Sequence, residues 1–160
     1  MKNARKYLVA WLRDAHAMEG KALTLLETQI SKLEDKNPEI AKRLRGRLEE
    51  VWDNRFQLDR CRRKLGEVTC ALDDVTITIN TNLRDFSYRP FGDELFKHVF
   101  AHNAIELTKA ETYRSLTEAA LAAGEPEIAK ICDGILMQGS AMADWMWEQL
   151  PPATRERLLG

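Results

Sequence analysis

The stretch LTEAALAAGEPEIAKICDGIL at 116–136 decides the fold. A run rich in alanine and leucine leads into Gly124, and Pro126 follows two residues later. Alanine and leucine are strong helix formers. Glycine placed after such a run closes a helix with a left-handed cap, and proline suits the first turn of the next one. Beyond the proline, Ile128, Ile131, Cys132 and Ile135 recur at three- and four-residue steps, so the chain re-enters a helix at once. Two helices joined by so short a turn lie antiparallel, side by side.

The same punctuation recurs toward both ends. Asn37-Pro38 reads as an N-cap followed by proline at the first helical position, and Gly66 as a helix end. Gly92-Asp93, just after Pro90, starts a third helix, and Pro151-Pro152 stops the last. Helices near 3–34, 38–65, 93–123 and 126–150 follow, each spanning roughly 35–48 Å. The connection at 66–92 is far longer than the other two. It contains VTITIN (75–80), whose alternation reads locally as a strand. A lone strand has nothing to pair with, so an extended or partly helical crossover is expected. Two antiparallel hairpins joined by a long crossover make an all-α, ferritin-like four-helix bundle, a single domain over 1–160.

Composition agrees. Alanine, leucine, glutamate, lysine and arginine make up about half of the 160 residues. Charges nearly cancel, 24 Lys+Arg against 25 Asp+Glu, so the basic excess of a general polyanion binder is missing. Helix 2 is rich in arginine and lysine, but these point in many directions and acidic residues interrupt them. No nucleic-acid partner is expected. No run reaches the roughly 18 apolar residues of a membrane span, and the charged N-terminus MKNARKYLVAWLRD is not a signal peptide. Cys61, Cys70 and Cys132 are odd in number and widely spaced, which suits buried reduced thiols in a cytoplasmic protein. Four tryptophans and five methionines at helical spacing read mostly as core fillers. Trp145 and Trp147 fall on different sides of helix 4, so at least one lies outside its central stripe.

The informative residues are polar ones on apolar stripes. Leu8, Leu12, Ala15, Ala22, Leu26 and Leu33 share a face of helix 1, with Glu19 inside it and His16 about 80° from its centre. Ile40, Leu44, Val51, Leu58 and Leu65 define the stripe of helix 2, on which Arg47, Asn54, Arg55 and Arg62 also fall, with Glu50 near its edge. On helix 3, His98, His102, Glu106 and Lys109 lie within about 60° of a face carrying Leu95, Val99, Tyr113, Leu116 and Ala120. The inner face of helix 4 is apolar: Ile128, Ile131, Cys132, Ile135, Gly139, Met142 and Met146. Burying a polar group costs several kcal/mol unless it is paired or ligated. His98-x3-His102-x3-Glu106 stacks potential ligands at i,i+4 spacing, and His16-x2-Glu19 is a looser counterpart. Such a set suits iron, manganese or zinc. A hydrogen-bonded polar layer neutralised by lysine is the competing reading.

Four segments resemble the YciE/YciF family of bacterial ferritin-like stress proteins: LRDAHAMEGKAL (12–23), RLEEVWDN (47–54), AIELTKAETYRSL (104–116) and AALAAGEPEIAKICDGIL (119–136). The resemblance implies a bundle, often a homodimer, with a dinuclear metal centre on inward carboxylates and histidines. By position it implies Glu19, Glu50 and Glu106 as ligands; His16, His98 and His102 enter through spacing alone. The candidate metal set is therefore His16, Glu19, Glu50, His102 and Glu106. The departures are specific. Arg47 stands where the family has a histidine, Asn54 near the next ligand position, and Lys109 in place of a glutamate. The acidic cluster of helix 4 is replaced by MQGSAM (137–142). A ferritin-like centre uses about four carboxylates and two histidines drawn from all four helices. Arg47 and Lys109 are thus expected to take the charge role of the metals, giving a non-enzymatic bundle. The alternative is a rearranged iron, manganese or zinc site with a redox role. No GxSxG, catalytic Cys/His signature or Gly-rich phosphate loop supports other chemistry.

Overall fold

A computed structural model describes residues 2–67 and 94–159. Four helices account for nearly all of them: α1 (Lys2–Leu33), α2 (Pro38–Lys64), α3 (Glu94–Ala122) and α4 (Pro126–Leu159). Among the described residues there is no strand. VTITIN and the expected crossover lie outside them.

The turns follow from local chemistry. Gly124 adopts φ 77°, and its N–H reaches the Leu121 carbonyl while Glu125 N–H reaches Ala120. Gly66, at φ 86°, closes α2 in the same way, with Glu67 N–H on the Arg62 carbonyl. Pro38 opens α2, but the Asn37 side chain makes no capping hydrogen bond. Its backbone carbonyl accepts from Ala41 instead. Glu39 in the first turn and Arg62, Arg63 and Lys64 in the last complement the helix dipole.

Pro151 and Pro152 do not stop the last helix, contrary to the expectation from sequence; α4 runs through them to Leu159. Each proline removes one bond to the carbonyl four residues back, here those of Trp147 and Glu148. Both residues are exposed, so water can take those carbonyls. The Thr154 hydroxyl also donates to the Leu150 carbonyl at 2.7 Å.

In the bundle α1 packs on α2 and α3, and α4 packs on α3 and more loosely on α2. The first half of α1 meets the second halves of α2 and α3 and the first half of α4. The order is therefore up, down, down, up, which requires a long passage between α2 and α3. Two apolar clusters fill the ends. Leu8, Leu12, Leu58, Leu116, Ile128 and Cys132 belong to one; Leu26, Leu33, Leu44, Val99, Met142 and Met146 belong to the other. Cys61 and Cys132 are free buried thiols. The tryptophans correct the sequence reading, because Trp11, Trp52 and Trp147 are exposed and only Trp145 packs against a core cluster. Met18, Met142 and Met146 are buried as expected, whereas Met137 is exposed. Between the clusters lies a layer of buried polar side chains.

Candidate functional site

The layer is assembled from one stripe on each helix. Glu19 of α1, Arg47 and Asn54 of α2, and His102, Glu106 and Lys109 of α3 are all buried to within 3 % exposure. A charge at such a place must be matched by a partner of opposite sign.

Arg47 supplies the first match. Its Nε donates to Glu106 Oε1 at 3.1 Å and its Nη2 to Glu106 Oε2 at 3.0 Å, a two-pronged bond across α2 and α3. The remaining nitrogen, Nη1, donates to Glu50 Oε2 at 2.9 Å, three residues along its own helix. Glu50 is partly exposed and also lies 3.6 Å from Arg43 Nη1. Lys109 supplies the second match: its Nζ is 2.9 Å from Glu19 Oε2 and 3.8 Å from Glu106 Oε2. The Tyr113 hydroxyl, one turn beyond, donates to Glu19 Oε1 at 2.5 Å. All four oxygens of Glu19 and Glu106 therefore face a cation or a phenol.

The electrostatics follow from these contacts. Burial would raise the Glu106 carboxyl, but Lys109 and Arg47 overcome it and hold it below the usual carboxylate range. Burial likewise works against the Arg47 charge, and Glu106 more than restores it. Burial, then Glu19, pushes the Tyr113 phenol well above 10, so it stays a hydrogen-bond donor. His102 behaves differently. Its Nε2 is 3.6 Å from Glu106 Oε1, too far for a hydrogen bond. Burial drives its pKa down to about 4; Glu106 opposes the shift, whereas Arg47 and Lys109 reinforce it. The imidazole is neutral at pH 7.

Helix α4 contributes space rather than a side chain. A Cβ at Gly139 would lie 2.7 Å from Glu106 Oε2 and 3.5 Å from Arg47 Nη2. Only glycine lets the α4 backbone approach the Arg47–Glu106 pair this closely. Asn54, completely buried on α2, keeps both amide atoms without a hydrogen-bond partner in the protein.

Of the residues singled out from sequence, Glu19, Arg47, Glu50, Glu106 and Lys109 form one connected network, with His102 at its side. His16 is half-buried, at the border of the α1 stripe. His98 lies further toward the start of α3, and its backbone carbonyl accepts from Gln29 Nε2 at 3.0 Å. Among the described residues no three histidines, cysteines or acids converge as a metal-binding group. Two members of the site were read only as stripe positions, Tyr113 and Gly139. The signal for Tyr113 was its place four residues after Lys109 and seven after Glu106, on the same face.

Comparison with solved structures finds a crystal structure of a protein from Xanthomonas campestris pv. campestris, 31 % identical, covering 99 % of this chain and 99 % of that one, with a TM-score of 0.78. The likeness extends over the whole all-helical bundle. A family model described as a domain of unknown function, DUF892, matches residues 3–159, and this chain belongs to that family.

Proposed function

We propose that this chain is a cytoplasmic bundle of the YciE/YciF type, stress-related and non-enzymatic, in which fixed cations take the place of a dinuclear metal centre. The observation that carries the reading is the Arg47 guanidinium seated on both oxygens of Glu106, with Lys109 on Glu19. A ferritin-like centre needs carboxylate oxygens free to turn toward the metal, and a ligand from each helix. Here the oxygens of Glu19 and Glu106 are engaged, and Gly139 offers nothing from α4. Two dications would have to enter beside two cations already in place. The donor set does not fit that centre. The stress-related assignment rests on the four resembling segments, and the cytoplasmic one on the free thiols Cys61 and Cys132.

The test is elemental analysis of protein purified without chelators, paired with thermal melting with and without added Fe²⁺, Mn²⁺ or Zn²⁺. The reading expects metal well below one ion per chain and a melting temperature that added metal leaves unchanged. Ligand binding to the native state would raise the melting temperature. Stoichiometric iron, manganese or zinc that Glu106→Ala removes would sink it, and would revive the site on His16, Glu19, Glu50, His102 and Glu106.

A further inference from the structure

The interior charge network leaves Asn54 out. Its side chain is completely buried, yet neither the amide nitrogen nor the amide oxygen has a hydrogen-bond partner in the protein. A buried amide in that condition is strongly disfavoured, because it has given up its hydrogen bonds to water and gained none. Its neighbours also have capacity to spare. Lys109 Nζ lies 2.9 Å from Glu19 Oε2, but the approach is too oblique for a hydrogen bond, and neither atom makes one elsewhere. An ammonium has three protons to place, and each carboxylate oxygen two lone pairs.

The fold brings these groups to one level. On α2, Asn54 stands between Val51 of one apolar cluster and Leu58 of the other; on α1, Glu19 stands between Met18 and Ala22 in the same way. A Cβ at Gly20, next to Glu19, would lie 3.5 Å from the guanidinium carbon of Arg55, next to Asn54. Lys109 reaches this level from α3, since it holds Glu19. The two clusters close the layer off from both ends of the bundle.

Size and charge decide what these groups can share. Asn54 offers both donors and an acceptor, Lys109 only donors and Glu19 only acceptors, so the occupant must donate and accept. Charge is already balanced, with Arg47 and Lys109 set against Glu19 and Glu106. A charged ligand would upset that balance where a lone charge is most costly. Close-packed helices admit only something small. We propose that the layer holds a bound water between Asn54, Lys109 and Glu19. It accepts from the Lys109 ammonium or the Asn54 amide nitrogen, and it donates to Glu19 Oε2 or the Asn54 amide oxygen. A buried water makes about three hydrogen bonds, which these groups supply. Its way in runs past Glu50, partly exposed and one turn from Asn54 on α2, the helix on which α4 packs loosely. The inference rests on the metal-free reading, because it takes Lys109 as the partner of Glu19.

Magnetic resonance of the nitrogen-labelled full chain tests the proposal. Water-selective magnetisation transfer should reach the Asn54 side-chain amide protons with the sign of a long-lived complex. The relaxation dispersion of labelled solvent oxygen should lose one long-lived water in Asn54→Leu. No transfer to the wild-type amide overturns the proposal, whether or not the variant folds; so does a folded Asn54→Leu with unchanged dispersion. A crystal structure recorded with anomalous scattering separates the two readings. Water within hydrogen-bond distance of Asn54, with no anomalous signal, supports the proposal. Asn54 bonded directly to Glu19 or Lys109 overturns it and leaves the metal-free reading standing, whereas a metal ion at this level overturns both.

Discussion

Gly139→Ala and Gly134→Ala add the same methyl group to the same helix, and the structure requires them to act in opposite directions. Both glycines sit inside α4, where alanine is intrinsically favoured by about 0.5–1 kcal/mol. At Gly134 a Cβ meets nothing within 4 Å, so that gain should be realised in full. At Gly139 the new carbon would stand 2.7 Å from Glu106 Oε2. The carboxylate must retreat by about 0.7 Å or more to reach ordinary contact. It cannot do so freely, since Arg47 holds its oxygens at 3.1 and 3.0 Å and Lys109 stands 3.8 Å away. Either the fork stretches out of hydrogen-bond range or α4 moves outward. Overpacking of this kind costs about 1–3 kcal/mol, and the weakened pair adds to it. The packing cost outweighs the propensity gain. For a chain of this size 1 kcal/mol moves the melting temperature by about 2–4 °C. Gly139→Ala should therefore melt about 3–10 °C lower than wild type and Gly134→Ala about 1–4 °C higher. Differential scanning calorimetry on both variants decides it. A Gly139→Ala protein that melts at or above wild type would show that the pair does not press against α4, and the reasoning would fall.

Three further outcomes follow from the same network. Arg47→Met strands Glu106 in the core and should cost about 3–5 kcal/mol in urea unfolding, whereas adding Glu106→Leu should restore most of the loss. A double variant no more stable than the single one would refute the pairing. Tyr113→Phe removes the donor to Glu19 Oε1 and should cost about 1–3 kcal/mol; in the wild type, absorbance of the folded protein near pH 10 should show that the Tyr113 phenol has not ionised. Acid should destabilise the fold through His102. Its pKa is depressed from 6.5 to about 4, so the unfolded chain takes up the proton first. Its contribution is complete above about pH 6.5 and drains away toward pH 4, in all about 3 kcal/mol. Glu106, also depressed, adds a loss of the same sign below the usual carboxylate range. His102→Gln should flatten the stability profile between pH 6.5 and pH 4, and an unchanged slope would exclude this histidine as its source.

The fold was legible because glycine and proline mark its turns by backbone geometry alone. Gly66 and Gly124 take the left-handed conformation that only glycine adopts without strain, and the helix boundaries fell within a residue or two of them. Pro151-Pro152 misled for a reason equally physical. A proline removes one helical bond and crowds the carbonyl four residues back, and here the freed carbonyls belong to exposed residues that water can reach, so the helix continues. The stripe residues Glu19, Arg47, Glu106 and Lys109 were legible from helical period, since a charge on an apolar face is anomalous wherever the other helices lie. Which cation meets which carboxylate was not, because that depends on the offset between hairpins. Lys109 is three residues from Glu106, yet its shorter contact is with Glu19 on another helix. The tryptophans failed for the opposite reason: period places them on faces, but only the assembled bundle shows that the faces of Trp11, Trp52 and Trp147 look outward.

The offset between the hairpins is also where the network matters most. Short turns fix α1 against α2 and α3 against α4, whereas among the described residues the first hairpin meets the second chiefly through side chains. Apolar packing is non-directional, and a one-turn slide of about 5.4 Å would still lay leucine against leucine. The charged contacts do not tolerate it. Glu19 and Arg47 belong to the first hairpin; Glu106, Lys109 and Tyr113 belong to the second. Every contact of Arg47 with Glu106, and of Glu19 with Lys109 and Tyr113, crosses between them. A slide of one turn would break all of these together, leaving Glu19 buried without a cation, Arg47 with Glu50 of its own helix and Glu106 with Lys109 of its own helix. Such a state is disfavoured far more strongly than any apolar misfit. Bound metals shared by four helices would impose the same constraint, so on the metal-free reading proposed above the cations would keep the register-setting part of a dinuclear centre.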